Sequence, residues 1–331
     1  MALKQVVGLQ EAALSRGMMK PNQIFAAAVL AVALCGIASI SAQQPAPSGT
    51  QVHLTVTVEP KHGTDVPEIH KNEVMVYEGK DRDRVADWIP AQGEHAALEL
   101  FLLLDDSSSM NLGSQLDDIR KFIDAQPSTT LIGVAYMRNG TADVIQNLTS
   151  DHAAASKALR LPTGIGGANA SPYFALSDLA KRWPASNARH SVLMVSDGID
   201  RYYGTGNLDD PYVNAAVDDA IRANVVVSAI YEPGAGHFGH SYWQSYWGQL
   251  YLSQVADGTG GEAYYIGMTG APVAFAPFLQ DLSRRLEHQY LLSFIPKPEK
   301  KSGWHNVRLS TEVPNVDLIS ARRVYVNATE H

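Results

Sequence analysis

The stretch LFLLLDDSSSM, residues Leu100–Met110, decides the fold of this chain. Five apolar residues lead directly into two carboxylates and three hydroxyls. A strand that is apolar on both faces is typical of the centre of a parallel sheet with helices on each side. Polar oxygens directly after such a strand indicate either a helix N-cap, for which Asp and Ser are favoured, or a ligand site at the edge of the sheet.

The sequence after this stretch alternates between apolar strands and helical segments. Four further runs predict strands: TLIGVAYM, SVLMV, VVVSAIY and EAYYIG. Ser171 followed by Pro172, and later the Asp-Pro pair before YVNAAVDDAIRAN, predict helix starts. Asn139-Gly140 between two strand-like runs predicts a hairpin. Alternating strands and helices imply right-handed βαβ units, so residues 97–288 are expected to form a doubly wound, mostly parallel, Rossmann-like α/β sheet.

The flanking segments, residues 51–96 and 289–331, have the two-residue period of β-strands. HLTVTVE places Leu54, Val56 and Val58 on one face. YLLSFIP, WHNVRLST and ARRVYVN follow the α/β region without a helical segment between them. We therefore expect the two flanks to pair with each other in a smaller β domain, which the α/β domain splits.

The N-terminus has the pattern of an export signal. Lys20 precedes an uncharged run of nineteen residues, Ile24–Ala42, and residues 43–50 form a polar linker. This pattern predicts a signal peptide over residues 1–42, cleaved after Ala42, and a protein of the periplasm, the cell envelope or the extracellular space. An uncleaved anchor is the alternative, since nineteen apolar residues can span a bilayer. Membrane attachment is expected only through that segment.

The composition of the chain excludes several classes of function. The chain is 45% hydrophobic and 18% charged, which is typical of a globular protein. Its net charge is −8, and loss of residues 1–42 would make it −10, so we expect no nucleic-acid binding. Cys35 is the only cysteine and lies in the signal segment, where Leu34 disfavours lipid attachment. The exported chain therefore has no disulfide and no cysteine-based metal site.

Two strand ends bring oxygen donors to one edge of the predicted sheet. The first strand delivers Asp105, Ser107 and Ser109, and SVLMV delivers Asp197. The Asp-x-Ser-x-Ser spacing places alternate side chains on one side of a loop, where their oxygens can converge. Hard oxygen donors suit Mg²⁺, and Mn²⁺ less exclusively. Asp106 and Ser108 are expected to face solvent or to lie behind the ligands. Asp200 and Asp209 are expected to be loop and cap residues, not ligands.

DDSSSM and VSDG resemble the metal-ion-dependent adhesion site of von Willebrand factor type A (VWA) domains. In that family the first loop is Asp-x-Ser-x-Ser and a later strand ends in Asp-Gly, so four residues match: Asp105, Ser107, Ser109 and Asp197. The family's middle loop adds a threonine. In GIGGANASPY, Ala168 stands where that threonine is expected, and Ser171 is the candidate replacement. The flanks, including TVTVEPKHGTDVPEIHKNEVMVYEGK and HQYLLSFIP, are similar to an acidobacterial subfamily of exported VWA-related proteins, and the likeness covers nearly the whole mature chain.

The resemblance implies a Mg²⁺ or Mn²⁺ ion held by few anionic oxygens, with one position left for a carboxylate of a partner protein. The predicted function is an exported protein-interaction module, not an enzyme. A metal-free scaffold of the cell envelope is the alternative, because Ala168 signals a lost ion. A serine hydrolase built on Ser107 and His190 is less favoured, since the chain has no Gly-x-Ser-x-Gly motif and His190 is expected at the opposite end of the sheet.

A second unusual stretch is GHFGHSYWQSYW, residues Gly236–Trp247, which combines aromatic residues with glycines. Aromatic side chains on a loop are good anchors for a partner. The alternative is that they cover the end of the sheet. A zinc site on His237 and His240 is not expected, because the sequence offers no third ligand.

Overall fold

Strand β4, residues Leu98–Asp105, lies inside a six-stranded sheet in the computed structural model of the chain. The structure describes residues 51–107, 110–164, 167, 170–204, 206, 209–232, 241–265, 274–297 and 301–328. All eight residues of β4 are buried. Its alternate side chains enter two separate cores, with Leu102 and Leu104 in one and Phe101 and Leu103 in the other. The unbroken apolar run follows from this burial on both faces.

The parallel sheet contains five further strands: β5 (Thr130–Arg138), β6 (Thr141–Thr149), β7 (Arg189–Ser196), β8 (Val225–Tyr231) and β9 (Ala263–Tyr264). The order is β6-β5-β4-β7-β8-β9. β6 is antiparallel to β5, and the other neighbouring pairs are parallel. The predicted doubly wound, mostly parallel sheet is therefore confirmed. The predicted hairpin is confirmed as well, since Asn139 and Gly140 join β5 to β6 with φ of 51° and 74°.

Helices cover both faces of this sheet: α1 (Leu116–Ala125), α2 (His152–Ala158), α3 (Pro172–Lys181), α4 (Pro211–Arg222), α5 (Tyr242–Thr259) and α6 (Ala276–Glu287). Helices α1, α2 and α6 contribute to one core, and α3, α4 and α5 contribute to the other. Ser171 caps α3 and Asp210 caps α4, each with proline at the first helical turn, as the sequence predicts. Short 3₁₀ helices occupy Lys71–Glu73, Gly93–His95 and Met110–Gln115.

The flanking segments form a second, antiparallel sheet. Its strands are β1 (Val52–Pro60), β2 (Val74–Glu78), β3 (Asp81–Pro90), β10 (Gln289–Ile295), β11 (Gly303–Thr311), β12 (Val316–Ile319) and β13 (Arg323–Val326). The order is β12-β1-β10-β3-β2-β11-β13. Leu54, Val56 and Val58 are buried in its core, as their alternation predicts. Strands from both flanks therefore share one sheet, as expected for the smaller β domain.

The described residues between 51 and 328 belong to one compact unit, in which ion pairs connect helices of the α/β domain to the antiparallel sheet. Arg285 on α6 contacts Glu59 on β1 at 2.5 Å, and Arg323 on β13 pairs with Asp218 on α4. The predicted signal segment and linker, residues 1–50, lie outside the described residues. Within the described part of the chain, no helix combines the length and the apolar character needed to cross a bilayer.

Candidate functional site

The strand order reverses at β4, because β5 lies on one side of it and β7 on the other. Leu104 of β4 pairs with Val195 of β7, so Asp105 is level with Ser196 and next to Asp197. Ligands of doubly wound sheets bind outside the carboxyl ends of the strands at such a switch point. The two predicted carboxylates thus lie at one edge of the sheet, and at the position where this fold binds ligands.

Asp105 is buried, and its two oxygens accept hydrogen bonds from different segments. Oδ1 accepts from the backbone N–H of Ser107 at 2.9 Å and from Ser107 Oγ at 2.5 Å. Oδ2 accepts from Ser196 Oγ at 2.8 Å. Burial raises the pKa of Asp105, and the nearby Asp197 raises it further. Ser196 belongs to the quoted VSDG motif, but sequence analysis assigned it no role in holding Asp105.

Asp197 is fully buried and forms an ion pair with Arg201, which was not predicted from the sequence. Its Oδ1 accepts from the backbone N–H of Ile199 at 2.9 Å, and its Oδ2 accepts from Nη2 of Arg201 at 2.5 Å. Burial lowers the pKa of Arg201, but Asp197 and Asp105 outweigh this effect and raise it. Arg201 follows Asp197 by four residues in the same loop, and this was the only sequence signal that could have indicated the pair.

Ser171 brings a hydroxyl from the middle loop to the same place. Its side chain caps α3 by accepting from the backbone N–H of Phe174 at 3.4 Å. Ser171 lines one small pocket together with Asp105, Ser107 and Arg201. Ser109 and Ala168 lie outside the described residues.

Of the two alternatives expected for Asp106, the structure supports the second, since its side chain lies behind the ligands and does not face solvent. Asp106 is fully buried, and its carboxylate contacts Nη1 of Arg160 at 2.6 Å. It also accepts from the backbone N–H and the hydroxyl of Thr163, at 2.9 and 3.0 Å. Asp106 therefore lies behind the site and fixes the start of the middle loop. Asp200 is a loop residue, as expected, and it is buried. The N-cap of α4 is Asp210, so Asp209 is not the cap residue.

Two contacts join the middle loop to the loop after β7. The backbone N–H of Arg201 donates to the carbonyl oxygen of Ala170 at 3.1 Å, and the hydroxyl of Tyr173 donates to that of Gly198 at 2.6 Å. Gly248 on α5 also lies against the carbonyl oxygen of Asp197, so closely that a Cβ atom there would overlap it. The positions of Ser171 and Asp197 are therefore fixed relative to each other by packing and hydrogen bonds.

The donor set fits a hard divalent cation in kind. Asp105 and Asp197 offer carboxylate oxygens, and Ser107 and Ser171 offer hydroxyl oxygens. The hydroxyl of Ser107 donates to Asp105, and that of Ser171 accepts from the backbone N–H of Phe174. Oxygen-only sets suit Mg²⁺ and Mn²⁺. Among the described residues, no three His, Cys, Asp or Glu side chains are grouped to hold a metal.

The residues of the hydrolase alternative are not together. His190 is the second residue of β7 and pairs with Glu99 near the start of β4, whereas Ser107 follows the other end of β4. His190 instead stacks on Trp183, and its Nδ1 lies 2.8 Å from the carbonyl oxygen of Ala223. This is the separation expected from the sequence.

Exposed aromatic side chains lie on the two segments that contact Asp197. Tyr202 and Tyr203 follow Arg201 in the loop after β7 and are 52% and 48% exposed. On α5, which carries Gly248, Tyr242 and Trp243 are 56% and 66% exposed. Further along α5, Trp247 packs on the sheet's second core, so that part of the aromatic stretch covers the sheet. Residues 236–240 of that stretch lie outside the described residues.

No family model matches the chain, and no curated protein matches it. Among solved structures, the chain is similar to the conserved hypothetical protein BatB from Bacteroides thetaiotaomicron, with 13% identity, a TM-score of 0.43 and coverage of 57% of this chain and 97% of that one. It is similar to an aerotolerance-related membrane protein from Bacteroides fragilis, with 14% identity, a TM-score of 0.40 and coverage of 57% and 98%. It is also similar to the SpRpn10 VWA domain, with 13% identity, a TM-score of 0.35 and coverage of 56% and 94%. All three TM-scores lie below 0.5, so the fold of this chain is described by its own strand order.

Proposed function

We propose that the chain is an exported protein-interaction module that binds its partner at the carboxyl edge of the parallel sheet, through a divalent cation. Asp105, Ser107, Ser171 and Asp197 would hold the ion, with Ser109 as the further ligand predicted from the sequence. The observation that carries this proposal is the meeting of two buried carboxylates from different strand ends with the hydroxyls of Ser107 and Ser171. Such a set costs folding free energy unless a cation compensates it.

The bound ion would supply a positive charge able to accept a carboxylate oxygen from outside. Ser107 and Ser171 would contribute neutral oxygens, so the ion would keep most of its charge for the partner. This local charge matters because the chain as a whole is acidic, at −8, and would repel an acidic partner. Binding without turnover is the proposed use of the site.

The exposed aromatic residues would supply the surrounding contact area. Tyr202, Tyr203, Tyr242 and Trp243 lie on the segments next to Asp197, and such side chains are enriched among residues that contribute most to binding energy. The partner would therefore offer a carboxylate flanked by apolar groups. The export pattern of residues 24–42 supports a partner outside the cytoplasm.

The test is a thermal-unfolding titration of the exported chain, residues 43–331, with Mg²⁺ and Mn²⁺. Either ion is expected to raise the melting temperature of the wild type, since a ligand that binds only the native state stabilises it. Asp105→Ala is expected to abolish this shift. Asp117→Ala removes an exposed carboxylate on α1 and is the matched control, which should respond like the wild type. An equal shift in Asp105→Ala would contradict the proposed site. A second experiment captures partner proteins from the native cell envelope with and without a chelator. Capture that the chelator does not affect would contradict the role of the ion in binding.

A metal-free scaffold is the second candidate, and the contact of Arg201 with Asp197 favours it. A permanent guanidinium would compensate the buried carboxylates without an ion. The absence of any metal response, in the wild type and after removal of Arg201, is the outcome expected for the scaffold. A serine-reactive probe that labels Ser107 would instead support the hydrolase.

A further inference from the structure

We propose that Arg201 is the resident counter-cation of the site, and that a divalent ion binds Asp197 only by displacing the Arg201 guanidinium. Arg201 would then set the affinity of the site for the ion. This inference deepens the proposed function and rests on it. It concerns a residue that has no place in the Asp-x-Ser-x-Ser and Asp-Gly motifs.

The first support is the shared ligand. Nη2 of Arg201 donates to Oδ2 of Asp197 at 2.5 Å in a charge-assisted hydrogen bond. Oδ1 of Asp197 accepts from the backbone N–H of Ile199. An ion that binds Oδ2 of Asp197 therefore competes with Arg201 for that oxygen.

The second support is position. Arg201 lines the same small pocket as Asp105, Ser107 and Ser171, which are the other proposed ligands. The guanidinium thus brings its charge to the place where the ion's charge is needed. Two full positive charges beside each other in this pocket would repel more strongly than in bulk water, because the side chains of Asp105 and Ser107 that line it are buried. Arg201 and the ion are therefore expected to exclude each other.

The third support is that Arg201 has a way out. Its side chain is 30% exposed, whereas Asp197 is fully buried. Its backbone is fixed by the hydrogen bond to Ala170, so only the side chain has to turn. Tyr202 and Tyr203, which follow it, are about half exposed, so the loop faces solvent at this point. The guanidinium can leave Asp197 for water without any change in the core.

The experiment compares Arg201→Met and Arg201→Lys with the wild type of residues 43–331. Mg²⁺ binding is measured by isothermal titration and by the shift in melting temperature, with NaCl at equal ionic strength as the salt control. Arg201→Met is expected to melt lower than the wild type without Mg²⁺ and to bind Mg²⁺ about tenfold more tightly. Arg201→Lys keeps the charge and is expected to lie between the two. Arg120→Met removes an exposed arginine paired with Asp117 and should behave like the wild type.

The outcomes separate this inference from the proposed function. An equal, non-zero Mg²⁺ response in the wild type and in Arg201→Met would overturn the inference and leave the proposed metal site intact. No response in either would overturn both. A stronger response in Arg201→Met that persists in Arg201→Met/Asp105→Ala would place the ion elsewhere and would also overturn the inference. If Arg201→Met does not fold without Mg²⁺, two outcomes are distinguished. If Mg²⁺ restores folding, the ion replaces the guanidinium, as proposed. If Mg²⁺ does not restore folding, the role of Arg201 is purely structural and the inference is false.

Discussion

Replacement of Asp106 by asparagine tests how the start of the middle loop is held behind the candidate site. Asp106 is fully buried, and four hydrogen bonds converge on its carboxylate. Arg160 donates from Nη1 at 2.6 Å and from Nη2 at 3.2 Å, and Thr163 donates from its backbone and its hydroxyl. Asparagine has the same shape but only one acceptor oxygen. Its NH₂ group would therefore face donors in either orientation of the amide.

The expected loss of stability follows from these contacts. Removal of one partner of a buried ion pair costs about 3–5 kcal/mol, because the other charge is left uncompensated. The side chain of Arg160 is 34% exposed, so water can take over part of its solvation. We therefore expect Asp106→Asn to lower the free energy of unfolding by roughly 2–3 kcal/mol. Asp117→Asn, which weakens an exposed pair with Arg120, is expected to cost less than about 1 kcal/mol.

Urea unfolding of the two variants and the wild type at pH 7 measures both values. A difference of less than about 0.5 kcal/mol between Asp106→Asn and Asp117→Asn would refute this reasoning. The pH dependence gives a second check. Burial alone would raise the pKa of Asp106, but the hydrogen bonds from Arg160 and Thr163 outweigh it and lower the pKa. A lowered pKa in the folded state stabilises the wild type above the unfolded value of about 3.9, and this advantage is lost as the pH falls through the folded value.

Three further predictions concern packing and charge elsewhere in the chain. Gly248→Ala is expected to destabilise the protein by about 1–3 kcal/mol despite the better helix propensity of alanine, because the new Cβ overlaps the carbonyl oxygen of Asp197. Gly303→Ala is the control, since a Cβ at Gly303 would have no atom within 4 Å. Equal urea unfolding midpoints for the two variants would contradict the prediction. Burial, together with the nearby Glu78, raises the pKa of Asp83 to about 6. Asp83→Asn is therefore expected to be more stable than the wild type by up to roughly 3 kcal/mol at pH 8, with the gain vanishing as the pH falls from 6 to below 4; a gain that does not depend on pH would exclude this cause. Arg285→Met is expected to lower the free energy of unfolding by about 3 kcal/mol, because three carboxylates lose their shared cation: Glu59, Glu262 and Asp281. Arg284→Met loses only the pair with Asp281 and should lower it by less than about 1 kcal/mol. A reversed order of the two variants in thermal unfolding would be inconsistent with the contacts.

Local patterns made the architecture predictable from the sequence. The apolar run of β4 indicates burial on both faces, and the Asn139-Gly140 pair favours the positive φ angles that the hairpin needs. Because parallel strands end at one edge of a sheet, Asp105 and Asp197 could be brought together without any knowledge of the loops. The pairing of the two flanks followed from the absence of helical segments among their strands.

The details of the loops were not predictable in this way. Alternation along Asp-x-Ser-x-Ser assumes an extended chain, but the chain turns after Asp105, and Asp106 points inward to Arg160, which lies 54 residues later. Arg201 contacts Asp197 because the loop after β7 turns back on itself, and no periodic pattern encodes that turn. The strand predicted over EAYYIG is two residues long in the structure, Ala263–Tyr264, and its last two residues lie outside the described residues.

The place of β10 between β1 and β3 has a consequence for how the chain is made. Thr57 and Gln289, which are hydrogen-bonded neighbours in the finished sheet, are 232 residues apart. The first three strands therefore emerge from the ribosome, and from any export channel, long before the strand that joins them. The α/β insert is contiguous and can fold during this delay, while the early strands still have unpaired edges. The antiparallel sheet can therefore be completed only after β10 to β13 have been made.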